Sequence, residues 1–289
     1  MNRIPTAGRL LLALLWMAAS AAAQAQELVK LPYVPTPQVV VDEMLKMAGV
    51  SDKDFVIDLG SGDGRMIITA ARSFKANGLG VDIDAKLVDL ATSHARNEAV
   101  SDRAKFIEQD MFKADISKAT VVTLYVLPDF MEKLRPKLLR ELKPGARIVA
   151  HDYYMSEWPP DRFAEMDVPE KKAANGTEKA YLYLWTVPAT VQGDWRINWD
   201  FGDGKPQLIV LAFNQRYQII NASAANKDGE MKIANATLKG DDIDFFLTVG
   251  ANNYRFTGKV QGDRMSGNAV TGAGGKPTPW SAAKMPPEK

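Results

Sequence analysis

The chain has 289 residues, 46% of them hydrophobic, with 36 basic against 35 acidic side chains and a formal charge of +1. That is enough apolar material for one large core or two ordinary ones, while the balanced charge gives no global field that would select nucleic acid, and none is expected as a partner. The absence of cysteine excludes disulfides, thiolate metal sites and cysteine nucleophiles, and His94 and His151 alone are too few to build a zinc centre, so no metal is expected.

Residues 1–25 combine Arg3 and Arg9, an apolar run from Leu10 to about Met17 and small residues ending in Ala23-Gln24-Ala25, the three parts of a secretory signal. Cleavage is expected before Gln26, with export to the periplasm or the medium; a misassigned start codon would instead leave a cytoplasmic protein. The run is shorter than the roughly 20 residues that span a bilayer, so no transmembrane span is expected after signal removal.

Over residues 26–188, short buried strands alternate with amphipathic helices, which predicts an α/β region built on a sheet covered on both faces. Thr36-Pro37 reads as the N-cap and first residue of a helix that Gly49 stops. Strands are expected at Phe55 to Leu59, Gly78 to Asp82, Ala104 to Glu108, Val121 to Val126 and Arg147 to His151. Asp84 and Asp129 read as helix N-caps, Pro136 as a break within the second of those helices and Gly145 as its end. His94, in the middle of a helical segment, reads as a surface residue. Asn175-Gly176 signals a tight turn into a closing antiparallel hairpin.

Over residues 189–289 the period changes to strict alternation, as in Trp195, Ile197 and Trp199, with glycine turns at Gly202-Asp203-Gly204, Asp228-Gly229, Gly240-Asp241 and Gly262-Asp263. About eight short strands are expected, forming an antiparallel meander or small barrel. Trp195, Trp199 and Trp280 read either as its core or as the lining of a ligand mouth, and this C-terminal all-β region is a candidate docking site for a partner.

The stretch DFVIDLGSGDGR (Asp54 to Arg65) carries the chemical signal. A strand runs into Gly60, Gly62 and Gly64, and a helix follows. A P-loop counted from Gly60 would need its second glycine where Arg65 stands, and fails. A dinucleotide fingerprint also loses its third glycine at Arg65, although Asp82 stands where a ribose-binding acid belongs, so that reading stays open on spacing alone. With Asp58 preceding the three alternate glycines, the segment resembles motif I of class I S-adenosylmethionine-dependent methyltransferases. GLGVDID (Gly78 to Asp84), FIEQDMF (Phe106 to Phe112) and VVTLYVLPDF (Val121 to Phe130) match further segments in order. With YVPTP (Tyr33 to Pro37), LRPKLLRELKPG (Leu134 to Gly145) and HDYYM (His151 to Met155), the pattern is similar to the lysine methyltransferases of the ATP-synthase c-subunit type and their bacterial relatives.

The resemblance implies a Rossmann-like seven-stranded sheet and S-adenosyl-L-methionine as cofactor. It implies Asp58, Gly60, Ser61, Gly62 and Gly64 around the methionine portion, Asp82 and Ile83 at the ribose, Asp110 and Met111 at the adenine, and Tyr33 and Thr36 over the cofactor. The candidates at the reacting end are Tyr125, His151 and Asp152, because open α/β sheets bind ligands at the C-terminal ends of their strands. Tyr125 reads equally as core, and His151 equally as a hydrogen-bonded structural histidine. The implied acceptor is a protein lysine amine. The alternatives are a small-molecule acceptor, or an exported binding protein that keeps the fold without the activity.

Overall fold

The computed structural model describes residues 33–200, 207–272 and 275–286; the expected leader and the Gly202-Asp203-Gly204 turn lie outside them. Helix α1 (Gln38–Met47) opens the α/β region and buries Val40, Val41, Met44, Leu45 and Met47, a stripe one helix face wide. Its N-cap is Pro37, with no side-chain cap bond. Thr36 is therefore not the cap: the fixed φ of proline already sets the helix entry, which leaves the Thr36 hydroxyl for another contact.

The chain continues through β1 (Phe55–Leu59), α2 (Arg65–Phe74), β2 (Asn77–Asp82), α3 (Ala85–Asn97), β3 (Ala104–Glu108), β4 (Val121–Leu124), α4 (Pro128–Glu141) and β5 (Arg147–His151), then β6 (Arg162–Asp167), α5 (Lys171–Asn175) and β7 (Lys179–Thr186). The sheet order is β3-β2-β1-β4-β5-β7-β6, with β7 antiparallel to both of its neighbours. Central β4 is buried along its whole length, as a parallel strand covered on both faces must be. Each Val, Leu or Ile so buried contributes about 1.5–3 kcal/mol relative to exposure.

Several local expectations change. Helix α4 runs unbroken through Pro136, held by Met131, Leu134 and Leu138 against the sheet. It ends at Glu141 rather than at Gly145, whose N–H is bonded to Val187 O. Its N-cap position is Leu127, extended before Pro128 as a residue preceding proline prefers, and Asp129 sits in the first turn, where it meets the helix dipole. Asp84 does cap α3, accepting from Lys86 N. Strands β6 and β7 form the expected antiparallel pair, but Gly176 ends helix α5 in the left-handed conformation and is not part of a two-residue hairpin turn. β4 stops at Leu124, two residues short of the expected Val126, where the chain turns toward α4.

Among its described residues the C-terminal region has nine strands where about eight were expected: β8 (Gly193–Trp199), β9 (Gln207–Arg216), β10 (Ile219–Asn226), β11 (Gly229–Met231), β12 (Ile233–Lys239), β13 (Asp242–Val249), β14 (Asn252–Gln261), β15 (Arg264–Thr271) and β16 (Thr278–Lys284). They form one antiparallel sheet in the order β11-β10-β9-β8-β16-β15-β14-β13-β12, and β10 approaches β12 to give a nearly closed barrel. Trp195, Trp199, Trp280, Phe245 and Phe256 fill its core, so the tryptophans are packing residues and line no ligand mouth. Each indole N–H is satisfied: Trp195 donates to Val191 O, Trp199 to Thr278 Oγ1 and Trp280 to Thr257 O.

The barrel joins the α/β region at the edge opposite the C-terminal ends of the parallel strands. Gly240 lies against Gly145 so closely that a Cβ there would stand 2.9 Å from Gly145 Cα. Tyr217 stacks on Trp158 at 5.6 Å, and Gln218 accepts from Trp158 Nε1 while donating to Pro159 O and Asp161. Gly145 precedes the first residue of β5 and His151 is its last, so the whole strand separates the barrel contact from the crevice described next.

Candidate functional site

The crevice begins where β1 passes into the glycine loop. Gly60, Gly62 and Gly64 all have positive φ, at 85°, 53° and 82°. L side chains rarely adopt that region, so the alternate glycines permit the turn itself. The Gly60 and Ser61 amides both donate to Val81 O, which ties the loop to β2. Asp82, at the end of β2, accepts from Gly62 N at 2.8 Å through Oδ2 and from Asp84 N at 2.9 Å through Oδ1. One oxygen thus fixes the loop and the other the next turn, and each keeps a lone pair for a hydroxyl. Gly64 answers to packing as well: a Cβ there would come within 2.7 Å of Ala91 Cβ and of the Phe106 ring.

Asp58 is buried, with Oδ1 accepting from Thr123 Oγ1 at 2.6 Å. Burial raises its carboxyl to about 7, the Thr123 hydrogen bond opposes that rise, and the nearby Asp82 and Asp63 charges add to it. An ammonium beside it would relieve both the desolvation and the repulsion. The buried Ser61 Oγ has no hydrogen-bond partner, a polar atom aimed at nothing in the protein. Ile83 is half-buried just after Asp82. Asp110 accepts from Phe112 N through Oδ1, and half-buried Met111 packs against the cluster that contains Leu59 and Val81.

The far side of the loop is clamped by residues that the sequence reading assigned no role. Arg65 donates to both oxygens of Asp63 and, through Nη1, to Thr36 O at 2.8 Å, so it links the glycine turn to the segment before α1. His94 is not a plain surface residue: its Nδ1 lies 3.1 Å from Asp63 O. Thr36 is buried and its Oγ1 lies 3.4 Å from His151 Nδ1. Tyr33 is exposed at the start of the described residues.

At the ends of β4 and β5, three aromatic rings form a stack. Tyr125 lies 4.1 Å from the His151 ring and 6.3 Å from that of Tyr153. His151 is 1% exposed, and burial lowers it to about 4, against the opposing pull of Asp152, so the imidazole is neutral near pH 7. Its Nε2 is 3.4 Å from Asp152 Oδ1 but makes no hydrogen bond there, because that carboxylate is otherwise engaged. Lys171 Nζ, itself buried, donates to both Asp152 oxygens at 2.7 and 2.6 Å and to Lys179 O. Asp152 takes φ 63°, a left-handed conformation held by that ammonium, by its own N–H donating to Tyr181 O and by Tyr181 N–H donating to its Oδ1. Neither neighbour of His151 in the chain bonds to its ring: Asp152 serves Lys171, and Tyr153 stacks on Tyr125.

The family model described as the ANTKMT methyltransferase domain matches residues 58–162. A protein-lysine N-methyltransferase of Saccharolobus islandicus (strain REY15A) is 42% identical over 154 residues, covering 53% of this chain and 92% of that relative. The chain belongs to the class I S-adenosylmethionine-dependent methyltransferases. The lysine N-methyltransferase of the ATP-synthase c-subunit from Xenopus laevis is 35% identical over 155 residues, which cover 53% of this methyltransferase and 67% of the Xenopus chain. Among solved structures, an RNA methyltransferase from Salinibacter ruber in complex with S-adenosyl-L-homocysteine is 45% identical, with a TM-score of 0.50, covering 55% of this methyltransferase and 96% of that chain. The relatives agree on the reaction and differ in their named acceptors. Each match leaves nearly half of this methyltransferase uncovered, and the Saccharolobus and Salinibacter chains are too short to hold a comparable nine-stranded sheet.

The residues at the crevice fit an amino-acid-bearing nucleoside. A carboxylate with spare lone pairs stands at the end of β2, a raised carboxyl waits at the loop, and the Ser61 hydroxyl is buried without a partner.

Proposed function

We propose that this chain methylates lysine ε-amines of a protein. The carrying observation is the 42% identity spread over 92% of the Saccharolobus protein-lysine N-methyltransferase. We assign Asp82 to the ribose hydroxyls with Ile83 beside it, Asp58 to the methionine ammonium, the Gly60–Gly62 turn and Ser61 to the methionine backbone, and Asp110 and Met111 to the adenine side. Thr36 and Tyr33 belong to the segment assigned to cover the cofactor, with Arg65 as the link that holds Thr36 to the loop.

The bound cofactor supplies an electrophilic methyl on a sulfonium. With that cofactor held there, a neutral lysine nitrogen would form the N–CH3 bond as the S–CH3 bond broke, with S-adenosylhomocysteine as the leaving group and a proton passing from the new ammonium to water. The chain's contribution is alignment and exclusion of water. A lysine must shed its proton first, at a cost of about 4.6 kcal/mol from a reference pKa of about 10.4 to pH 7, and an apolar approach lowers that cost. Tyr125 is the group that faces the incoming amine. His151 and Asp152 are positioning residues: the neutral imidazole supports the Tyr125 ring, and Asp152, locked by Lys171, fixes the turn that follows β5.

Incubation of the enzyme with methyl-labelled cofactor and a cell extract tests the acceptor. Methyl-lysine in the acid hydrolysate of labelled protein is the expected result, with the label lost in Asp82→Ala. Label confined to RNA, lipid or small molecules contradicts the lysine assignment while leaving methyl transfer intact.

A further inference from the structure

The barrel carries a feature that methyl transfer does not use. On the outer face of β8, β16 and β15 a groove of about 610 Å3 opens to solvent. Strand pairing aligns Arg196, Ala283 and Arg264 in one row across the three strands, and Asn198, Ser281 and Ser266 in the next outward row. With strands about 4.8 Å apart, the two arginine Cα atoms stand roughly 10 Å from each other with only a methyl group between them. That is within reach of two guanidinium groups converging on one ligand.

Other cations of this sheet are ion-paired or stand singly, whereas these two line one groove. Arg255 is paired with Asp244, and Lys259 with Asp241 and Asp242. Arg196 and Arg264 are exposed and make no ion pair or side-chain hydrogen bond among the described residues. No described residue lining the groove is acidic. The groove thus presents two planar cations, neither of them ion-paired, beside a row of amide and hydroxyl groups.

We propose that this outer face binds a phosphate group, held by Arg196 and Arg264 with Asn198, Ser266 and Ser281 beside them. Two guanidinium forks match the charge of a phosphate dianion, and the neighbouring polar row supplies donors for the remaining oxygens of a tetrahedral group, more than a planar carboxylate can use. The site shares no residue with the cofactor crevice and does not depend on the methyl-transfer reading.

Calorimetric titration of the full purified chain with inorganic phosphate and with glycerol phosphate, and flotation with phosphatidylglycerol vesicles against phosphatidylcholine vesicles, test the site and separate a free phosphate from a lipid headgroup. The expected result is binding in at least one of these arms, weakened about tenfold or more in the Arg196→Gln/Arg264→Gln double variant. Both side chains point outward, so the fold and the labelled-methyl activity are expected to persist, and Ser281→Leu, which fills the groove without changing charge, is expected to weaken the same arm. Absence of binding in every arm, undiminished binding by the double variant, or equal preference for acetate overturns the proposal.

Discussion

The two sheets of this molecule bury different things. Among the described residues, every buried polar or charged side chain lies between Thr36 and Lys171: Asp54, Asp58, Ser61, Thr69, Thr123, Lys137, His151 and Lys171 join Thr36 in that set. Among the described residues the barrel core contains only apolar and aromatic side chains, and its indoles are capped by backbone or hydroxyl oxygens. An interior of the second kind is cheap to maintain and inert. Burying carboxylates, imidazole and ammonium is costly unless each is paired. Asp54 is held by Arg147 at the far end of β1 and Lys137 by Glu141 on α4, while Asp58, Ser61 and His151 gather at the C-terminal ends of the strands, where chemistry is supported. The barrel sits at the opposite edge of the α/β sheet, and its candidate site lies on the outside of a quiet core.

The largest test of this contrast is Lys171→Met. It leaves Asp152, whose side chain is 11% exposed, without its counter-charge and is expected to destabilise the fold by about 3 kcal/mol in urea denaturation, with much of the loss recovered in Lys171→Met/Asp152→Asn. A cost near zero for the single variant would show that the pair holds nothing.

A smaller effect separates the two buried titrating groups by sign. Asp58 is raised from 3.8 to about 7, so its contribution to stability is full below about 4 and is lost as pH rises through about 7. His151 is lowered from 6.5 to about 4, so its contribution is full above about 6.5 and is lost as pH falls through about 4. Each slope is at most about 1.4 kcal/mol per pH unit, and in the wild type the two oppose each other. Denaturation across this window is expected to show Asp58→Asn losing stability on acidification and His151→Gln gaining it. Parallel pH profiles in the two variants would remove this account of the crevice.

Much of this arrangement was legible in the chain itself. Four of the five strands named in the α/β region lie within a residue of their expected bounds, because continuous apolar runs between turn residues leave a buried parallel strand few other options. The glycine spacing located the loop, and the acid at the end of β2 located the partner that bolts to it. What escaped was set by contacts distant in sequence. Thr123 looks like one more β-branched strand residue until Asp58 is found beneath it, 65 positions away. Lys171 carried no signal in the sequence, and only the return of β7 alongside β5 carries it over Asp152. Arg65 entered the sequence argument only as the residue that spoiled two other motifs, and His94 as a helix-surface residue. Both clamp Asp63, a contact with no periodic signature. Pro136 misled because local propensity forbids what packing of α4 against the sheet enforces.

The most direct measurement is calorimetric titration of the wild type and Asp82→Ala with S-adenosyl-L-methionine. The geometry predicts saturable one-to-one binding by the wild type and a loss of about 100-fold in the variant, since both ribose acceptors and the anchor of the Gly62 amide go together. Equal affinity in the two proteins, or no binding by the wild type, would contradict the crevice as the seat of the cofactor.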